Sequence, residues 1–121
     1  MKDILIVEDN DIDQHIMVDV LSEEFNIRTA NNGVECLSQI NERCPDLLVL
    51  DLVMPEMDGY EVIRQIKNNP ACVHLPIIVS SAKAREEEKQ IVYDLGVENY
   101  LTKPYDPDDL TIKIKSILNS V

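Results

Sequence analysis

Five groups in this chain could do chemistry together. Asp51 ends the run Asp46-Leu47-Leu48-Val49-Leu50-Asp51, in which four apolar residues lead to one carboxylate. Glu8 and Asp9 end a second apolar run, Ile4-Leu5-Ile6-Val7. Short apolar runs, the first bounded by Pro45 and Pro55, read as strands buried on both faces of a parallel sheet. If the two strands are parallel neighbours, three carboxylates crowd one edge of that sheet. Each like-charged pair then costs about 4 kcal/mol at ~4 Å and an effective dielectric of about 20. A fold keeps such a cluster where a cation, or a change of charge, uses it. Two more runs end in polar groups: Pro76-Ile77-Ile78-Val79-Ser80-Ser81 in hydroxyls, and Tyr100-Leu101-Thr102-Lys103 in an ammonium. Carboxylates, hydroxyl and ammonium together suit phosphoryl chemistry. The carboxylates can hold Mg²⁺, which prefers octahedral oxygen ligands and keeps several waters. Such a cation and Lys103 would neutralise a phosphoryl group, and a serine would hydrogen-bond one of its oxygens. The carboxylate least committed to the metal can be the nucleophile and form an acyl phosphate. Taken singly, Asp51 is a solvated acid ending a strand, Ser81 starts a turn, and Lys103 is a surface lysine. Their convergence carries the reading.

The elements that must position these groups alternate from end to end. Strands are predicted at 3–7, 26–29, 46–51, 76–80 and 99–101. A helix over about 11–24 carries Ile12, Ile16 and Val20 as one stripe, with Met17 and Leu21 beside it. Asn32, with Glu35 three residues on, resembles a capping box for a helix that points Val34, Leu37 and Ile40 inward. Asp58 caps a third helix, lined by Tyr60, Ile63 and Ile66. A fourth helix, about 84–95, has a thin apolar stripe and stops at Gly96. Asp106 and Pro107 open a fifth, with Leu110, Ile114, Ile117 and Leu118 facing the core. Five strand–helix repeats with right-handed crossovers make a doubly wound α/β fold, flavodoxin-like, with strand order 2-1-3-4-5. Its switch point lies between strands 1 and 3, which brings Glu8, Asp9 and Asp51 to the crevice.

Composition bounds the rest. The chain has 121 residues, room for one domain with a real core. A net charge of −12 argues against direct binding to nucleic acid or anionic membrane. No apolar stretch nears the ~20 residues of a membrane span. Strand 1 begins almost at Met1, which leaves no room for a signal peptide. Cys36, Cys44 and Cys72, odd in number and without Cys-x-x-Cys spacing, read as reduced thiols in a cytosolic protein. His15 and His74 lack ligand spacing and read as surface residues.

In this order the motifs resemble the receiver domain of bacterial two-component response regulators, over essentially the whole chain, 1–121. The matching segments are Ile-Leu-Ile-Val-Glu8-Asp9-Asn10, Leu-Val-Leu-Asp51-Leu-Val-Met-Pro55-Glu-Met-Asp58-Gly59, Pro76-Ile-Ile-Val-Ser-Ser81-Ala82 and Tyr100-Leu-Thr-Lys103-Pro104-Tyr105. The resemblance implies that Asp51 is the phospho-acceptor. Glu8 and Asp9 would form the acidic Mg²⁺ pocket with Asp51, and the backbone carbonyl of Val53 would be a further ligand. Ser81, rather than Ser80, would be the switch hydroxyl, Lys103 the lysine of the family and Tyr100 its rotating aromatic. A cis bond is implied at Lys103–Pro104. The implied partners are a histidine kinase or histidine phosphotransfer protein as donor, and a downstream protein effector. The output face would be helix 4, strand 5 and helix 5. Phosphotransfer and dephosphorylation would be self-catalysed, in a cytoplasmic protein that is not a turnover enzyme. Val53 and Lys83, two residues beyond Asp51 and Ser81, offer no amide or carboxylate to orient a water, so the acyl phosphate should be long-lived. Two other classes compete. A haloacid-dehalogenase-type phosphatase would want a second aspartate where Val53 stands. A receiver-like module that signals without phosphorylation has no use for an intact site. An FMN protein is disfavoured by the acidic loop after strand 1.

Overall fold

Five parallel strands form one sheet in the order β2-β1-β3-β4-β5: β1 (Asp3–Val7), β2 (Asn26–Ala30), β3 (Leu47–Asp51), β4 (Ile77–Ser81) and β5 (Asn99–Thr102). The helices are α1 (Asp11–Leu21), α2 (Gly33–Glu42), α3 (Gly59–Lys67), α4 (Glu86–Asp94) and α5 (Pro107–Leu118). The computed structural model describes residues 1–52, 59–82 and 85–119. The order is the flavodoxin-like one that the alternating pattern predicts.

Every residue of β3 and β4 is buried, as the continuous apolar runs require of central strands. Side chains alternate between faces. Leu48 and Leu50 join Cys36, Ile40, Ile63, Ile66 and Val92 on the side of α2, α3 and α4. Leu47 and Val49 join Met17, Leu21, Leu110 and Ile114 on the side of α1 and α5. The result is a three-layer sandwich. Its register aligns the carboxyl ends: Val7 with Leu50, Asp51 with Ser80, Ser81 with Thr102.

Helix starts are fixed locally. Asn10 Oδ1 accepts from Asp13 N at 3.0 Å, and Asn32 Oδ1 from Glu35 N at 2.9 Å. Asp106 Oδ1 accepts from Asp108 N at 2.9 Å, with Pro107 at the first helical position. Gly96, at φ +93°, stops the chain after α4 in the left-handed conformation open to glycine. The Asp58 cap falls outside the described residues, as does the expected start of the fourth helix at Ala84.

Four expectations change. The first helix ends at Leu21 rather than near Glu24. Its stripe is turned: Ile12 and Ile16 are 72% and 45% exposed, while Met17 and Leu21 are buried. Adjacent apolar stripes fit one 3.6-residue period equally well, so periodicity cannot choose between them. Val34 is half exposed, and Gly33 and Cys36 take the inward face of α2 with Ile40. Cys44 and Cys72 are bonded to each other, with Cα atoms 6.1 Å apart, and only Cys36 of the three is free. Their separation of 28 positions is a tertiary contact that no local spacing announces.

Candidate functional site

Glu8 follows β1 and is 1% exposed; Asp51 ends β3 at 6%. Asp9, one residue further out, is exposed. One carboxylate oxygen from each lies within 4.8 Å of the others. Lys103, just past β5, reaches across the edge to both buried acids. Its Nζ donates to Glu8 Oε2 at 2.6 Å and to Asp51 Oδ2 at 3.2 Å. Its backbone N–H donates to Ser81 O at 2.8 Å, which ties the lysine to the end of β4. The Lys103–Pro104 bond is cis, as the resemblance implies.

The electrostatics follow from this packing. Burial pushes the Glu8 carboxyl up to about 7; the Lys103 hydrogen bond opposes that, and the Asp51 charge adds to it. Burial pulls the Lys103 ammonium down, but the hydrogen bond to Glu8 and the charges of Asp51 and Glu8 outweigh it and hold it above its ordinary value. One ammonium thus faces two buried acids. This oxygen-only donor set, with two members buried and one facing solvent, fits a hard divalent cation that keeps part of its water. Ligands at the ~2.1 Å of an octahedral Mg²⁺ lie about 3–4 Å apart, so small side-chain rotations close the set. Val53 lies outside the described residues.

Ser81 is fully buried, and its side chain is hydrogen-bonded to the Tyr100 hydroxyl. Burial pushes the Tyr100 phenol up, the Ser81 bond lowers it, and the charges of Glu88 and Asp51 raise it. Lys89 Nζ of α4 sits 5.7 Å from the Tyr100 ring centroid, within cation–π range. α4 itself buries only Val92 among its helical residues. Tyr100 therefore stands between the hydroxyl at the end of β4 and a lightly anchored helix.

The structure brings together Glu8, Asp9, Asp51 and Lys103, and separately pairs Ser81 with Tyr100. Sequence reasoning missed Asp13, whose Oδ2 is 3.9 Å from Lys103 Nζ. It also missed Gln14, whose Nε2 donates to Glu8 O at 3.0 Å and Ala30 O at 3.3 Å. Both stand on the first turn of α1 just after the acidic pair, a placement that the Asn10 cap could have indicated. Ser80 and Tyr105 are joined by a hydrogen bond of 3.1 Å that no local pattern signals.

Comparisons with known proteins agree with this fold. The family described as the response regulator receiver domain matches residues 4–115. The chain is 41% identical over 101 residues to a probable cyclic di-GMP phosphodiesterase of Vibrio cholerae, covering 84% of this chain but 23% of that protein. It is 33% identical to the chemotaxis protein CheY of Halobacterium salinarum over 98% of each. Among solved structures, a putative response regulator from Chloroflexus aurantiacus superposes with TM-score 0.91 at 32% identity, covering 98% of both chains. The Mn(2+)-bound form of response regulator Rcp1 does so with TM-score 0.84 at 29% identity, covering 100% of this chain and 97% of that one. The match decides against the dehalogenase-type phosphatase. No helix among the described residues is long and apolar enough to cross a membrane. The chain belongs to the response regulator receiver domain family, the phosphorylation-dependent signalling switches of two-component systems.

Proposed function

We propose that Asp51 is the phospho-acceptor of this receiver and that the chain, 1–121, works as one such domain. The observation that carries the reading is Lys103 Nζ placed 3.2 Å from Asp51 Oδ2 and 2.6 Å from Glu8 Oε2, beside Asp9. Glu8, Asp9 and Asp51 would hold Mg²⁺, with the Val53 carbonyl as a further ligand by resemblance. That ion would supply charge neutralisation on the phosphoryl oxygens. The Mn(2+) of Rcp1 supports a divalent cation in this fold. Asp51 attacks the phosphorus of a phosphohistidine on a sensor kinase or phosphotransfer protein. The N–P bond breaks as the O–P bond forms, and the donor imidazole leaves with a proton. Lys103 and Ser81 then hold the transferred group. Drawing Ser81 toward it alters its bond to Tyr100, and α4 with β5 and α5 rearranges for a protein effector. Transfer is self-catalysed and the domain does not turn over. The exposed Ile16, which lines a cavity with Lys103 and Asp13, and the exposed Ile12 on the same helix support a protein donor on α1. The net charge of −12, ill suited to DNA or acidic lipid, supports a cytoplasmic protein-to-protein relay.

The test is intact mass after incubation with acetyl phosphate, with and without Mg²⁺, for wild type and Asp51→Asn. One added phosphoryl that needs Mg²⁺ and is missing from the variant is the expected result. An equal adduct on Asp51→Asn refutes it.

A further inference from the structure

Lys103 is aimed at Asp51 by a short segment whose anchors all lie on β4 or α1. Its own N–H is fixed to Ser81 O at 2.8 Å. Two residues later, the Tyr105 hydroxyl accepts from Ser80 Oγ at 3.1 Å and lies 3.7 Å from the Met17 thioether. Ser80 is 1% exposed and stands beside Asp51 in the sheet register. By strand alternation its side chain falls on the face of Ile78, the side of the sheet that holds Met17, Leu110 and Ile114. A hydroxyl in such apolar surroundings is costly unless it is hydrogen-bonded, and Tyr105 supplies the bond. The phenol is held in the same way: burial pushes it up and the Ser80 bond lowers it. Ser80 Oγ donates to the Tyr105 oxygen and the Tyr105 hydroxyl donates to Met17 Sδ, so the pair has one arrangement rather than several.

What the pair holds back is also visible. A cavity of about 280 Å³ lies between the ring and α1, its lining including Asp13, Ile16, Met17, Lys103, Pro104 and Tyr105. Asp13 already pairs there with the ammonium, but loosely, Oδ2 to Nζ at 3.9 Å against 3.2 Å for Asp51. If the ring swings into this space, Lys103 can exchange Asp51 for Asp13. We propose that the Ser80–Tyr105 hydroxyl pair is a positioning device that holds Lys103 on Asp51 and limits its pairing with Asp13. The inference rests on the reading of Asp51 as phospho-acceptor. Neither hydroxyl touches the reacting atoms; both act through Lys103.

The experiment follows the rate of phosphoryl uptake from acetyl phosphate in saturating Mg²⁺, by intact mass, on variants whose folding is checked by thermal melt. Tyr105→Phe and Ser80→Ala should each slow uptake about three- to tenfold, the worth of one hydrogen bond. The double variant should be no slower than either. Ser80→Thr, which keeps the hydroxyl, should retain the wild-type rate. Adding Asp13→Asn to Tyr105→Phe should restore most of the rate, a rescue that a loss of general packing would not show. In a Lys103→Ala background, Tyr105→Phe should have no further effect. Unchanged rates in both single variants overturn the proposal, as does a loss that persists without Lys103 or resists Asp13→Asn. If Tyr105→Phe does not fold, Ser80→Ala with Asp13→Asn tests the same rescue. No uptake by wild type, with Asp51→Asn identical, would instead remove the Asp51 reading and this inference with it.

Discussion

Lys103 lies nearer to Glu8 than to Asp51, at 2.6 Å against 3.2 Å. The ammonium is therefore shared between an acid assigned to the metal pocket and the acid assigned to the phosphoryl group. It stabilises the cluster as a cation would, and so it competes with one.

Removing that competitor should separate two roles. Lys103→Ala should bind Mg²⁺ several-fold more tightly than wild type, because a positive charge within ~4–5 Å of the ion disappears. The same variant should take up phosphoryl at least tenfold more slowly, for want of the ammonium at the transferred group. Titration calorimetry and intact-mass kinetics on one preparation give both numbers. Weaker Mg²⁺ binding would mean that Lys103 organises the pocket instead of competing for it.

Glu8 makes a pH dependence with a definite sign. Its carboxyl titrates near 4.5 when unfolded and at about 7 in the metal-free fold. Between those values the folded state holds a proton that the unfolded state has lost. The stabilisation from protonated Glu8 is full below pH ~4.5 and is lost as pH rises through about 7. The change across the window is on the order of 3 kcal/mol at ~1.4 kcal/mol per pH unit. Melting curves in chelator should show wild type losing stability relative to Glu8→Gln between pH 5 and 8. Parallel profiles for the two proteins would contradict this. Mg²⁺, which needs the ionised acid, should bind more weakly below pH 7.

Gly59 sits where α3 meets the end of β3, and its N–H donates to Leu52 O at 3.0 Å. A Cβ there would lie 2.7 Å from Leu52 Cα and 2.9 Å from Asp51 O, both backbone. In an unhindered helix, alanine for glycine gains up to about 1 kcal/mol. Here Gly59→Ala should lose about 1–3 kcal/mol in a denaturant titration, and phosphoryl uptake should slow because the Asp51 carbonyl must move. A stabilised variant would show that the approach of the two segments is not needed.

The lifetime of the acyl phosphate is a separate matter. Val53 and Lys83, outside the described residues, bring no amide or carboxylate to orient a water. Val53→Asn should shorten the half-life several-fold, measured as loss of the adduct mass after desalting. An unchanged half-life would place control of hydrolysis elsewhere.

The site was legible where chemistry and strand ends coincide. Glu8, Asp9, Asp51 and Lys103 each close an apolar run, and parallel strands align such ends, so the topology alone gathers them. The strand order followed from alternation plus handedness. What failed needs three dimensions. Ile12 and Ile16 share a period with Met17 and Leu21, and only the placement of α5 decides which pair is covered. Val34 lies at the first turn of α2, outside the face that Cys36 and Ile40 bury. The Cys44–Cys72 contact joins two loops at the far end of the sheet from Asp51, and spacing rules see only neighbours. Ser80 and Tyr105, 25 residues apart, met for the same reason outside any motif.

The proposed switch depends on which atom carries the phosphoryl group. Borohydride reduces an acyl phosphate of aspartate to homoserine, which marks the residue permanently. Wild type treated with acetyl phosphate and Mg²⁺, reduced, digested and sequenced by tandem mass spectrometry should show homoserine at position 51 and nowhere else. A mark at Asp9 or another acid, or a phosphoryl group that resists reduction on Ser81, would contradict the assignment of Asp51.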